Sequence, residues 1–194
     1  MTSLRHKSET DTVQLALDAA RAAILDVGWS RTTLTDIARR AGVSRMTLYR
    51  TWSDMGSLLA DLMTREWRGL LQVDTTGGDA RERLVRGGVA TVRAIRANPL
   101  FGRIVELDPH LLLPYLLERP GRSQTLVVDL IAAQVADGQG AGVIRDGDPD
   151  LLARSIVLAT HGFVLSAQTM ARAAVTEAQL DDELDTLLDS YLRP

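Results

Sequence analysis

Arg45, Met46, Thr47, Tyr49 and Arg50 bring two guanidinium forks, a hydroxyl, a phenol and a soft apolar side chain into one short stretch that holds no acid. Such a set is fitted to a DNA major groove. Guanidinium donors grip a guanine edge or a phosphate, a threonine reaches a base edge, and a tyrosine tip donates to a phosphate. Two further hydroxyls, Ser44 and Thr33, are of the type that caps helix starts, where free amides also attract phosphates. The pattern predicts Arg45 and Thr47 nearest base edges and Thr33, Tyr49 and Arg50 on phosphates, with Ser44 and Met46 on the same face. Catalysis is poorly served by the rest of the inventory: three histidines (His6, His110, His161), no cysteine and no serine on a nucleophile elbow. No enzyme is expected. His110 and His161 lack the carboxylate spacing of a metal site, and no metal or cofactor is expected either.

Residues 33–52, TLTDIARRAGVSRMTLYRTW, must hold that face in place, and they read as a helix-turn-helix. Ile37 and Ala38 face inward on a first helix, where the small Ala38 side chain admits a second helix at close range. Gly42 supplies the left-handed conformation that ends the first helix. Val43 drops into the small core, Ser44 caps the second helix, and Leu48 and Trp52 pack back against Ile37. Thr33 and Asp36 have the spacing of a capping box, in which hydroxyl and acid satisfy each other's orphan amides.

Gly28, Thr32-Thr33-Leu34, Asp36-Ile37-Ala38, Ala41-Gly42-Val43-Ser44 and Thr47-Leu48-Tyr49-Arg50 followed by aromatic Trp52 resemble the DNA-binding signature of the tetracycline-repressor (TetR) family of bacterial one-component regulators. The resemblance covers about the first third of the chain. It implies an all-α protein in which three DNA-binding helices join a helical domain that binds an effector and forms a homodimer. Two departures stand out. Met55 and Gly56 stand where the family usually shows Lys and then an acid, the place from which a phosphate contact is often supplied, and Trp52 stands where Phe is usual, a change of bulk in the same role.

Charge is distributed to match. The net charge is −3, yet residues 1–53 hold eight Lys/Arg against five acids while the rest holds fourteen against twenty. A modestly basic end on an acidic body steers one face toward a polyanion, and two copies on one duplex would be needed for tight binding. The lack of cysteine fits a reducing cytoplasm. The apolar runs are short and charge-interrupted, so neither a membrane-spanning helix nor a signal peptide is expected.

Taken in order, residues 1–12 read as a frayed polar tail and a helix from about Thr10 carries Val13, Leu17, Ala20, Ile24 and Val27 on one stripe. Trp29 covers the core rather than a base. The expected domains are 1–53 for DNA and 54–194 for effector and dimer, with a connecting helix over 54–71. That helix is capped by Asp54 and has Leu58, Leu59, Leu62, Met63 and Trp67 inward and Asp61, Arg65 and Arg68 outward. A turn over 73–79 precedes a helix over 80–97 whose arginines (Arg81, Arg83, Arg86, Arg93, Arg96) read as a solvated edge. Short apolar segments follow over 100–107 and 111–117, the latter closed by Arg119-Pro120-Gly121. A helix over 122–137 buries Leu126, Val127, Leu130, Ile131 and Val135 and ends in Gly138-Gln139-Gly140-Ala141-Gly142, a C-cap and turn rather than a phosphate cradle. Asp146, Asp148 and Asp150 mimic a calcium loop that Pro149 interrupts, and Asp148 is instead an N-cap.

The last two helices, over 151–174 and 179–192, are the most apolar, with Thr176 and Gln179 as a capping box. The first of them is apolar nearly all round, more than a monomer of this size can bury, and the pair is the expected homodimer surface. The reading is a ligand-responsive repressor released from a palindromic operator on double-stranded DNA by a small, largely apolar effector, with Trp67, His110, Tyr115, His161 and Gln168 as candidate pocket wall. A helical protein-interaction adaptor, or more weakly a small helical enzyme, is the alternative.

Overall fold

Most helix starts among the described residues are written by side chains three residues or fewer from the amides they cap, and the structure places them where those spacings require. It is a computed structural model that describes residues 2–71, 76–118 and 120–194, with side chains from residue 11 onward. Among the described residues the regular structure is ten α-helices, two 3-10 turns and one isolated bridge, Arg172 with Val175. The helices are α1 Thr2–Val27, α2 Leu34–Ala41, α3 Arg45–Thr51, α4 Met55–Leu70, α5 Ala80–Ala97, α6 Pro99–Leu107, α7 Leu113–Leu117, α8 Arg122–Gly140, α9 Pro149–Met170 and α10 Glu177–Leu192. The expected turn over 73–79 and the closing Arg119 lie partly outside the described residues.

Two compact units divide the chain: residues 1–66 with 98–121, and residues 67–97 with 122–194. This packing boundary does not coincide with a division after Ser53. Most of α4 and the whole of α6 pack with the N-terminal helices.

In the first unit α1, α2, α3, α4 and α6 share one core. Ile24, Ile37, Leu48, Leu58, Leu62, Leu100 and Ile104 are essentially sealed from solvent, and Trp29, Val43 and Met55 pack against them partly buried. Each such large aliphatic side chain contributes about 1.5 to 3 kcal/mol of transfer free energy. The stripe expected on α1 is the buried one at Leu17, Ala20 and Ile24. Its helix begins earlier than expected, at Thr2, because neither Gly nor Pro interrupts the chain before Val27.

In the second unit α5, α8, α9 and α10 enclose Leu84, Val85, Val89, Val92, Val135, Ile144, Leu152, Ile156, Leu184, Leu188 and Leu192. Two expectations are corrected here. The arginine edge of α5 is not simply solvated: Arg81 bonds Asp189, Arg93 Nε donates to Asp181 Oδ2 at 2.8 Å, and Arg96 reaches both Asp181 oxygens at 2.7 Å. The acidic face of α10 lies along it, and Asp181 is buried as a result. Likewise α8 does not end before Gly138. It runs to Gly140, and the chain folds back so that a Cβ on Gly138 would meet Ile144 Cδ1 at 2.5 Å. Glycine at 138 thus makes room for Ile144, while Gly142, at φ +70°, makes the turn. On α8 the buried residues are Val128, Val135 and Gly138, with Leu126 exposed.

Asp148 accepts from the Asp150 amide with Pro149 opening α9, and the Thr176/Gln179 capping box is complete. By length and composition alone the 22-residue α9 could cross a membrane, an 18-residue stretch of it having mean hydropathy 1.2, where the sequence led one to expect only short interrupted runs. Its acid and its arginine, Asp150 and Arg154, both lie in the first two turns and pair with each other at 2.7 Å, so no Asp, Glu, Lys or Arg follows them in the helix. Leu151, Leu158 and Met170 on it are exposed, as is Leu187 on α10.

Candidate nucleic-acid interface

The corner between α2 and α3 is built by backbone geometry that the sequence makes cheap. Gly42 sits at φ 68°, ψ 25°, its amide returning to Ala38 and Arg39 carbonyls, and Val43 N–H reaches Ala38 O at 3.1 Å. Ser44 Oγ then accepts the Thr47 amide at 3.1 Å and caps α3. Leu48 and Trp52 turn inward, 1% and 2% exposed, so the opposite face is left to solvent. Arg45, Met46, Tyr49 and Arg50 all lie exposed on it, Met46 at 80%. Thr47 is only half-exposed and shares a 2.8 Å hydrogen bond with the Ser44 hydroxyl, so these two hydroxyls present as a pair.

Thr33 caps α2, accepting the Asp36 amide at 3.1 Å. The reciprocal half of the expected capping box does not form. Asp36 Oδ2 instead accepts a hydrogen bond from the Thr33 hydroxyl at 2.6 Å, and that bond, aided by Arg39 and Arg40, holds the Asp36 carboxyl below its ordinary range against the opposing cost of burial. Arg39 lies 3.4 Å from Asp36, and Arg40 pairs with Asp26 at 2.6 Å, so these cations are held at the flank of the exposed face.

Behind the recognition face, Trp52 does more than fill space. Its indole N–H donates to Asp61 Oδ2 on α4 at 2.8 Å, which places Asp61 against the tryptophan rather than outward. The α4 start is capped by Asp54, whose Oδ1 accepts the Ser57 amide at 2.7 Å while the Ser57 hydroxyl donates to Asp54 O at 2.8 Å. The Ser57 amide is the main reason the Asp54 carboxyl is held below its usual range. Met55, standing where the resemblance led one to look for Lys, packs against the core.

A further acid, Asp108, is buried. Asp108, at the end of α6, accepts from Trp29 N–H at 2.8 Å, Ser30 N–H at 3.3 Å and the Ser30 hydroxyl. Burial opposes its ionisation, but these donors together with the His110 charge outweigh that and keep its carboxyl below the ordinary range. No local pattern could have found it, since its partners are 78 and 79 residues away.

The candidate effector residues fall on both units. His110 and Tyr115 belong to the first, exposed and half-buried respectively, and Trp67, His161 and Gln168 to the second. His161 is half-buried with Nε2 3.5 Å from Gln124 Nε2, and burial lowers its pKa; Gln168 is exposed. A surface cavity of about 360 Å³ in the second unit is lined instead by Arg86, Val89, Ala90, Arg93, Asp181, Asp182 and Asp185.

The family of bacterial regulatory proteins named tetR matches residues 16–62. An HTH-type transcriptional regulator of Mycobacterium tuberculosis is 35% identical over 182 residues, 94% of this chain and 95% of that one. Among solved structures, a TetR-family transcriptional regulator from Pectobacterium atrosepticum superposes with TM-score 0.71 at 22% identity, over 96% of each chain. The SmeT–triclosan complex does so with TM-score 0.64 at 20% identity, over 94% of this chain and 92% of that one. With the capped α2–α3 corner presenting its arginines outward and a relative matched over nearly its whole length, the chain belongs to the tetR family of bacterial transcriptional regulators.

Proposed function

We propose that the protein is a homodimeric repressor that binds a palindromic operator and leaves it when a small, largely apolar effector binds. The observation that carries the DNA half of this reading is the α3 face: two arginines, a tyrosine and a methionine exposed over a fully buried Leu48–Trp52 back. Arg45 and the Thr47 hydroxyl read base edges; Thr33, Tyr49 and Arg50 hold phosphates; Ser44 and Met46 border the contact. Dimerisation runs through α9 and α10. The exposed Leu151, Leu158, Met170 and Leu187 support it, since a second copy would cover them, and a two-fold axis demands a two-fold operator.

The solved complex of a relative with triclosan supports an apolar effector, as does the half-buried His161 beside Gln124, where burial disfavours the charged imidazolium. Trp67, His110, Tyr115, His161 and Gln168 are the proposed wall. The functional domains are 1–53 for DNA and 54–194 for effector and dimer, with α4 as connector, and the protein acts in the cytoplasm. Ligand-driven movement of α4 shifts two recognition helices that must meet successive major grooves about 34 to 36 Å apart. Operator and effector then weaken each other by one common factor, typically worth about 1 to 3 kcal/mol. Selection of duplexes from a random pool should return an inverted repeat, and sedimentation should show a dimer that Leu158→Glu breaks. A non-repeated site, or a monomer at micromolar concentration, refutes the dimeric reading.

A further inference from the structure

The buried carboxylate of Asp108 lies outside the DNA face described above, yet its bonds end at that face's foundation. Its oxygens hold the turn Trp29–Arg31 through two backbone amides and the Ser30 hydroxyl. That turn starts at Gly28, φ +85°, where a Cβ would meet Leu107 Cδ1 at 2.9 Å and Asp108 Oδ2 at 3.3 Å, so the α1 end and the α6 end are in direct contact. The turn closes at buried Thr32, whose hydroxyl donates to Gly28 O at 2.8 Å, and the next residue is Thr33, the cap of α2.

The other end of α6 is tied as well. Asn98 caps it, accepting from Leu100 and Phe101 amides at 2.9 and 3.1 Å. Its own amide reaches Glu66 Oε2 at 3.4 Å, which also accepts from Arg21 Nε on α1 at 3.3 Å. Between these anchors Leu100 and Ile104 enter the core that holds Ile37 and Leu48.

We infer that Asp108 is a positioning residue for DNA recognition: by clamping the Trp29–Ser30 turn it fixes the direction in which α2 leaves α1, and so makes α6 a working part of the DNA-binding head. The inference rests on the α2–α3 corner being the DNA-contacting surface. A turn with three donors on one carboxylate has one geometry; with them released it samples several, and Thr33 and the α3 face go with it.

The test uses the full-length chain and the tightest duplex that the unaltered protein recovers from a randomised pool. Binding is read by fluorescence anisotropy at 10 °C, where circular dichroism shows each variant folded. Asp108→Ala should weaken binding on the order of ten-fold and Ser30→Ala, at an exposed position, roughly three-fold, and the double variant should lose no more than Asp108→Ala alone. Amide hydrogen exchange at Trp29, Ser30 and the first turn of α2 should quicken in the same order. Should Asp108→Ala not fold, Ser30→Ala carries the test through the same two readouts. A folded variant with a lower melting temperature but unchanged affinity would make Asp108 a stabilising group only and overturn the inference. Unaltered protein that selects no duplex overturns the DNA reading and this inference with it, whereas selection followed by equal binding of the variants overturns this inference alone.

Discussion

Replacing Trp52 by Phe tests whether the recognition helix is held from behind by a bond as well as by bulk. The indole is 2% exposed and donates to Asp61 at 2.8 Å. Losing a hydrogen bond to a charged acceptor costs about 1.5 to 3 kcal/mol, and the half-exposed Asp61 can turn to water, which sets the loss near 1.5. The smaller ring gives up roughly 40 Å² of buried apolar surface, about 1 kcal/mol more. Trp52→Phe should therefore destabilise the first unit by about 2 to 3 kcal/mol. Urea unfolding followed by circular dichroism measures the loss, and a double-mutant cycle with Asp61→Ala isolates the bond, with a coupling of about 1 to 1.5 kcal/mol expected. A cost under about 0.5 kcal/mol with no coupling would refute the bond's role and reduce Trp52 to a filler.

On DNA, Arg45→Ala should cost about 1 to 3 kcal/mol on the selected duplex and little on random duplex, while Arg50→Ala should weaken both alike; anisotropy titrations on the two probes separate them, and uniform losses for Arg45→Ala would move it to the phosphates. Removing the Asp181 carboxylate leaves Arg96, whose side chain is 13% exposed, with only the longer contacts to Glu177 at 3.5 Å and the Phe163 carbonyl at 3.4 Å, so Asp181→Ala should destabilise the second unit by about 2 kcal/mol, whereas Arg93→Ala, half-exposed, should cost under about 1; equal costs in urea melts would contradict this. His161 has a folded pKa below its ordinary value, so the unfolded chain takes up its proton first: stability is full above about pH 6.5 and falls as pH drops through the folded value. His161→Gln should flatten that fall in melts between pH 7 and 5, and an unchanged slope would place the titration elsewhere.

What was legible in the sequence was local. Thr33, Ser44, Asp54, Asp148 and Thr176 cap amides within three residues of themselves, and Gly42 turns the chain where its left-handed conformation is needed, so composition and spacing suffice. The exposed α3 face follows from the same reasoning, because burying Leu48 and Trp52 leaves the intervening side chains only one direction. Periodicity failed where a polar side chain answers a distant one. Helical period alone puts Asp61 and the α5 arginines in solvent, because it knows nothing of an indole N–H or an acidic helix alongside. Gly138 reads as a helix stop in the sequence because the reason for it, Ile144, arrives only when the chain folds back.

The clamp at Asp108 also sets a clock on biosynthesis. Its bond to Ser30 spans 78 residues, so at about 5 to 20 residues per second the acid leaves the ribosome roughly 4 to 16 s after the serine it must hold. Over that interval α1, α2 and α3 are all present and their caps can form, but the turn that launches α2 has no anchor. A nascent chain is thus denied a finished reading head until α6 has been made.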